Sequence, residues 1–175
     1  MRAILLDVPE TLLAERRQRG VDRFDEVWDG VLHMVPPPRA AHQEISAELF
    51  VVLRPIAQAL GLRSFFVTGL FRTADDYRVP DQLYCRPESL SDRGAECAEL
   101  VVEIRSPGDE SYGKLDWYAA RGVREVLVAH PKGRRVELLR SVGGRLLPVT
   151  AGAAPARSAP TCWECACGPS AGCWS

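Results

Sequence analysis

Two carboxylates stand where a folded chain seldom tolerates them. Asp81 falls in the short strand-like run Val79-Pro80-Asp81-Gln82-Leu83-Tyr84-Cys85, and Glu103 in the strongly apolar run Leu100-Val101-Val102-Glu103-Ile104. A carboxylate inside a buried strand is costly unless it is paired or binds a cation. Two of them on neighbouring strands could hold a divalent metal. Phosphodiester hydrolysis is the chemistry that suits such a pair, because a bound cation activates water and compensates the charge developing on the phosphate. A magnesium-like ion asks for few protein ligands, so two carboxylates and a backbone carbonyl suffice.

The reaction also needs a cation to orient water or steady the transition state. Two residues qualify. Arg105 lies two positions after Glu103 and so shares its face of the strand. Lys114 follows the turn Ser106-Pro107-Gly108-Asp109 and sits on a helix expected over about 110–120, from which it could point back over the sheet. Plainer readings stand beside these. A Pro-Asp is commonly a turn, and a strand glutamate can pair with an arginine such as Arg78. Ser106 is read as a helix N-cap rather than a nucleophile, His33 as structural and His130 as a surface turn residue.

The elements that must position these groups follow from periodicity. Residues 10–19 read as a short helix closed by Gly20, with Pro9 at its start. Asp29-Gly30 between the runs 24–28 and 31–35 is a hairpin signal, because a type I′ turn needs positive φ at both central residues. Pro36-Pro37-Pro38 stops the second strand. Apolar residues from Ile45 to Leu60 recur at three- and four-residue steps, which predicts a helix over about 40–60 that Pro55 should kink or split. Strands are expected at 63–68, 70–73, 78–85, 98–105, 125–130, 135–140 and 145–149. Antiparallel pairing of 78–85 with 98–105 would bring Asp81 and Glu103 together. The helix between 98–105 and 125–130 fits a right-handed crossover. The result is a mixed α/β domain with a central sheet flanked by helices, preceded by a helix and a hairpin.

Composition bounds the partners. The chain has 175 residues and a net charge of −1, so no global basic field marks it for nucleic acid. Any such surface must be local; Arg121, Arg124, Lys132, Arg134, Arg135 and Arg140 are read as a solvated face. No apolar run approaches a membrane span, the N-terminal run is too short for a signal peptide, and a cytoplasmic protein is expected. Of six cysteines, four crowd the end of the chain as Cys162, Cys165, Cys167 and Cys173. A zinc site is chemically possible there, but the spacing is not that of two separated CxxC pairs, and zinc is not assigned. Residues 1–150 are read as one domain and 151–175, rich in Ala, Gly, Pro, Ser and Cys, as a disordered tail.

The combination of motifs resembles a known family. Pro80-Asp81 … Glu103-x-Arg105 looks like the PD-(D/E)XK nuclease signature. Trp28-Asp29-Gly30-Val31-Leu32 before a proline-rich loop, His42 opening a helix, Glu103-Ile104-Arg105-Ser106-Pro107, Lys114-Leu115-Asp116-Trp117-Tyr118 and Gly122–Val128 together resemble the Uma2 family (formerly DUF820) of restriction-endonuclease-like proteins, over about residues 20–140. The resemblance implies a restriction-endonuclease-like fold and a DNA endonuclease using Mg²⁺ or Mn²⁺, and a homodimer is expected. It implies Asp81, Glu103 and the Ile104 carbonyl as metal ligands and Lys114 as the catalytic lysine, moved from strand to helix. The chain departs from the superfamily at Arg105, which stands where lysine is usual; arginine stays charged and cannot act as a base, though it can grip a phosphate. Glu26 and His42 match positions often polar in the family and are held as accessory. The alternative is a non-catalytic nucleic-acid or protein interaction module on the same fold, which the near-neutral charge and Arg105 motivate.

Overall fold

The computed structural model describes residues 3–5, 9–106, 108 and 110–149. Pro107 and Asp109 of the predicted turn, and the tail with its four cysteines, lie outside the described residues.

The chain opens with β1 (Ala3–Leu5), α1 (Glu10–Gln18), β2 (Glu26–Trp28) and β3 (Val31–Met34). The hairpin forms as its turn chemistry demands: Asp29 and Gly30 both take positive φ, 48° and 84°. Asp25, just before β2, accepts a bond from Arg16 Nε at 2.7 Å and so ties α1 to the hairpin. Then come α2 (Ala40–Ala59), β4 (Arg63–Phe66), β5 (Leu70–Thr73), β6 (Asp76–Arg78) and β7 (Gln82–Cys85). Pro55 does not split α2. It costs the helix one hydrogen bond, but Pro55 and its i−4 partner Val51 both lie on the exposed face, so water can solvate the Val51 carbonyl.

The run expected as one strand over 78–85 is two strands in different sheets. Pro80 has no N–H for a ladder, and the chain crosses between sheets there. Asp81 therefore sits in the break just before β7, not inside a strand. Short strands β8 (Leu90–Ser91) and β9 (Gly94–Ala95) occupy the connection read as a plain loop, and β10 is Leu100–Ile104. The expected helix over 110–120 starts as a 3₁₀ turn, Ser111–Lys114, and continues as α3 (Leu115–Ala120). β11 (Glu125–His130), β12 (Arg135–Val142) and β13 (Arg145–Pro148) complete the fold.

Two mixed sheets result. One runs β1-β3-β2-β6-β5-β9-β8, the other β13-β12-β11-β10-β7-β4. In the second, β10 is parallel to β11, as the crossover through α3 requires, and antiparallel to β7, with Val102 opposite Gln82. Alternation along β10 decides which groups meet. Leu100, Val102 and Ile104 join a core with Leu53 and Ala57 of α2. Val101 faces the other way, into a core with Trp117 and Tyr118 of α3 and Leu70 of the first sheet. Glu103 shares that second face, so the parity of one strand turns its carboxylate toward α3.

A buried arginine joins the layers. Arg78 is 3 % exposed and lies between the Trp28 and Trp117 rings, 4.4 and 4.5 Å from their centroids. Its guanidinium donates to Asp76 Oδ1 at 2.9 Å and to the Val27 carbonyl at 2.8 Å. Trp117 Nε1 donates to Asp76 Oδ2 at 2.8 Å. This network fastens α3 to the hairpin that carries Glu26.

Candidate active site

A cleft of ≈380 Å³ is lined by residues of both sheets, Glu26 from one and Glu103 and Ile104 from the other, together with His42, Asp81 and Lys114. At its floor Lys114, 4 % exposed, bridges two carboxylates. Its Nζ donates to Glu26 Oε1 at 2.7 Å and to Glu103 Oε1 and Oε2 at 3.0 and 3.3 Å. Glu26 is fixed from β2 and by the chain beyond β6: Trp28 Nε1 donates to its Oε2 at 2.8 Å and the Val79 amide to its Oε1 at 3.0 Å. Tyr118 hydroxyl donates to Glu103 Oε1 at 2.5 Å.

Asp81 stands beside this cluster. Its Oδ2 accepts the Ile104 amide at 2.7 Å, so the break before β7 is pinned to the end of β10. His42, from the first turn of α2, places Nε2 3.3 Å from Asp81 Oδ1. The structure thus brings Asp81, Glu103, Ile104, Lys114, Glu26 and His42 to one cleft. Arg105 goes elsewhere: its guanidinium lies over the Tyr112 ring, 5.1 Å from the centroid. His33 is stacked on Trp28 at 4.3 Å, a packing role.

The electrostatics follow from three carboxylates and one ammonium in low dielectric. Burial pushes the Glu103 carboxyl up to about 7; Lys114 opposes this, while Asp81 and Glu26 add to it. Burial would raise Glu26 as well, but Lys114 and the donors Val79 and Trp28 outweigh it and hold it below the usual carboxylate range. Burial disfavours the Lys114 ammonium, and Glu103 with Glu26 more than offset that, so it stays charged. Burial likewise opposes charge on His42, and Asp81, the Ile104 backbone and Glu103 win, raising its pKa. The carboxylates of Glu26, Asp81 and Glu103 thus outnumber the two basic groups, Lys114 and His42, that face them.

A divalent metal fits this donor set. Among the described residues no three His, Cys, Asp or Glu side chains form a metal-binding group. The oxygens on offer are the Asp81 and Glu103 carboxylates and the Ile104 carbonyl, all hard donors of the kind magnesium and manganese prefer. The Ile104 amide donates to Asp81 Oδ2 at 2.7 Å and His42 stands 3.3 Å from Asp81 Oδ1, so Asp81 and the Ile104 backbone are held close together.

Trp28 and Tyr118 enter the sequence reading only within the family motifs and are given no role in the site there. Each carries a signal that could have found it: Tyr118 is four residues after Lys114, hence on the same helical face, and Trp28 is two after Glu26, hence on the same strand face.

Residues 7–162 match the sequence profile of Uma2, described as "Putative restriction endonuclease". The chain belongs to the Uma2 family. A search of curated proteins finds no match. Among solved structures, the crystal structure of a "putative nuclease belonging to DUF820" from Anabaena variabilis ATCC 29413 superposes with TM-score 0.57 at 18 % identity, over 67 % of this chain and 72 % of that one. The likeness is one of fold, and the Uma2 chain thus has the nuclease-like α/β architecture its motifs implied. The cryo-EM structure of the DrdV–DNA complex aligns with TM-score 0.41 at 12 % identity, over 76 % of this Uma2 chain and 11 % of that protein. No helix of the described residues is long and apolar enough to cross a membrane.

Proposed function

We propose that this protein is a Mg²⁺- or Mn²⁺-dependent endodeoxyribonuclease. The observation that carries the reading is the buried Glu26–Lys114–Glu103 cluster opening onto Asp81 in one cleft. Asp81, Glu103 and the Ile104 carbonyl would hold the metal. When bound, the metal supplies charge compensation to the scissile phosphate and a more acidic water. The remaining work falls to side chains. Lys114 presents a permanent ammonium to a phosphate oxygen or an incoming water. Glu26 and Tyr118 fix the Lys114 ammonium and the Glu103 carboxylate, so that little reorganisation is needed as charge develops. His42 orients Asp81. Arg105, whose guanidinium lies over the Tyr112 ring, takes no part in this cluster.

The test incubates purified protein with plasmid DNA and Mg²⁺ or Mn²⁺, beside Asp81→Ala, Glu103→Ala and Lys114→Ala. Nicking should fall by more than about a hundredfold in each variant. Equal nicking by all four proteins, or none by the wild type with either metal, sinks the reading. The second reading, a non-catalytic binding module, is favoured by the tight closure of Lys114 between two carboxylates, which leaves the cluster satisfied without any ligand. Calorimetric titration with Mn²⁺ separates the two: binding abolished by Glu103→Ala belongs to the enzyme, and absence of binding to the module.

The homodimer has a candidate surface. On the solvent side of α2, Val51 and Val52 are 71 % and 61 % exposed. Glu44, Glu48, Val51, Pro55 and Gln58 form one stripe at alternating four- and three-residue steps, the spacing of a helix–helix seam. Two copies packed antiparallel about Val51 would place Glu48 against Arg54 of the other copy, and the reverse, as a self-complementary two-fold interface requires.

A further inference from the structure

One wall of the cleft has no part in the metal and proton chemistry, and it is apolar. Phe66 is 43 % exposed and packs on Phe50 of α2 with ring centroids 4.5 Å apart. In the ladder Phe66 lies opposite Gln82, the residue that follows Asp81. Val67, next in the chain, also lines the cleft and holds φ at +47°, a conformation a β-branched residue rarely adopts. Val35 and Pro80 also line the cleft.

The cleft's size and charge favour a small insert over a broad surface contact. A volume of ≈380 Å³ is that of a small-molecule pocket. It takes one nucleotide and not the width of a duplex. Among the described residues that line the cleft, four carboxylates, Glu26, Asp81, Glu103 and Glu110, face three basic groups, Arg39, His42 and Lys114, and Lys114 is already paired with two of them. Duplex binding draws on many phosphate contacts from a basic surface, which this cleft does not offer. Single-strand binding draws in addition on aromatic faces that stack on bases, and Phe66 offers one a step away from Asp81.

We infer that the cleft takes unpaired DNA, with a base stacked on Phe66 and the adjoining phosphate presented to Asp81 and Lys114. The inference rests on the reading of this cleft as a DNA site and names its substrate class: single strands, or duplex opened at the point of cutting. Phe66 acts by binding the base, not by taking part in phosphate chemistry.

The experiment measures fluorescence anisotropy of a labelled single-stranded oligonucleotide and of the same strand annealed to its complement. The full chain is titrated with Ca²⁺ present and again with EDTA. The single strand should bind more tightly than the duplex in Ca²⁺. Phe66→Ala should weaken single-strand binding about tenfold and leave duplex binding unchanged, while Phe66→Trp, which keeps an aromatic face, retains it. Circular dichroism of each variant confirms that it folds. Duplex binding as tight as single-strand binding, no binding to either, or single-strand binding indifferent to a folded Phe66→Ala overturns the inference. Cleavage assays in Mn²⁺ keep the two readings apart. Phe66-dependent single-strand binding without cleavage removes the nuclease and leaves this inference standing. Cleavage that favours duplex and ignores Phe66 does the reverse.

Discussion

At the scale of single residues, the site is built by surrounding each charged group with partners of fixed position. His42 shows how indirect such a contribution can be. It stands 3.3 Å from Asp81, a candidate ligand, so it sets where that carboxylate stands rather than reacting. His42→Ala should weaken Mn²⁺ affinity by about 10–100-fold, the usual effect of losing a partner of a metal ligand, which isothermal calorimetry reads directly. The buried Asp76 tests the structural counterpart. Burial favours its neutral form, but Trp117, Arg78 and the Asp29 amide outweigh that and lower its pKa. A depressed folded-state pKa contributes stability that is complete above the unfolded value of about 3.9 and is lost as pH falls through the folded value. Asp76→Asn, which strands the buried Arg78 charge, should cost about 3–5 kcal/mol at pH 7. The gap from wild type should narrow below about pH 4. Urea denaturation at both pH values checks both statements.

Elements set which of these residues can meet. Sequence periodicity located α1, the Asp29-Gly30 hairpin, α2 and β10 to β13 within a few residues, because each has a strong local pattern or a turn that only Gly or Asn/Asp chemistry permits. It merged β6 and β7 into one strand, since Arg78 to Cys85 has strand composition throughout and only the missing Pro80 amide marks the crossing. It passed over β8 and β9, two residues each, which exist only because a neighbouring strand pairs with them. Of the two outcomes expected at Pro55, a kink or a split, the split does not occur, because its face is solvated and α2 continues past it. Replacing it restores a donor for the Val51 carbonyl. Pro55→Ala should therefore raise stability by about 1–2 kcal/mol, seen as a higher denaturation midpoint with an unchanged slope. No shift in midpoint would mean that water already satisfies that carbonyl fully.

For the molecule as a whole, two sheets and α2 leave three layers with a cleft at one edge and an unpartnered helix face at another. The helix face gives a prediction that does not depend on catalysis. Glu48→Arg and Arg54→Glu should each shift the chain toward monomer in sedimentation, and the double variant should recover the dimer, because the antiparallel pairing is then remade with signs exchanged. A monomeric wild type at all concentrations removes this surface from consideration.

The sequence by itself determined the chemical inventory: two acids beside apolar runs, a helix-borne lysine, and the family pattern around them. It also determined the faces, since alternation in β10 and the four-residue step from Lys114 to Tyr118 are local geometry. Only the tertiary structure decided the contacts. That Glu26 shares Lys114 with Glu103, 77 positions away in the chain, depends on the hairpin docking against α3 through Arg78 and the two tryptophans. That Arg105 turns to Tyr112 rather than to the acids depends on how the 3₁₀ turn after β10 packs. Such choices are made by burial and pairing between segments remote in sequence, and no local period encodes them.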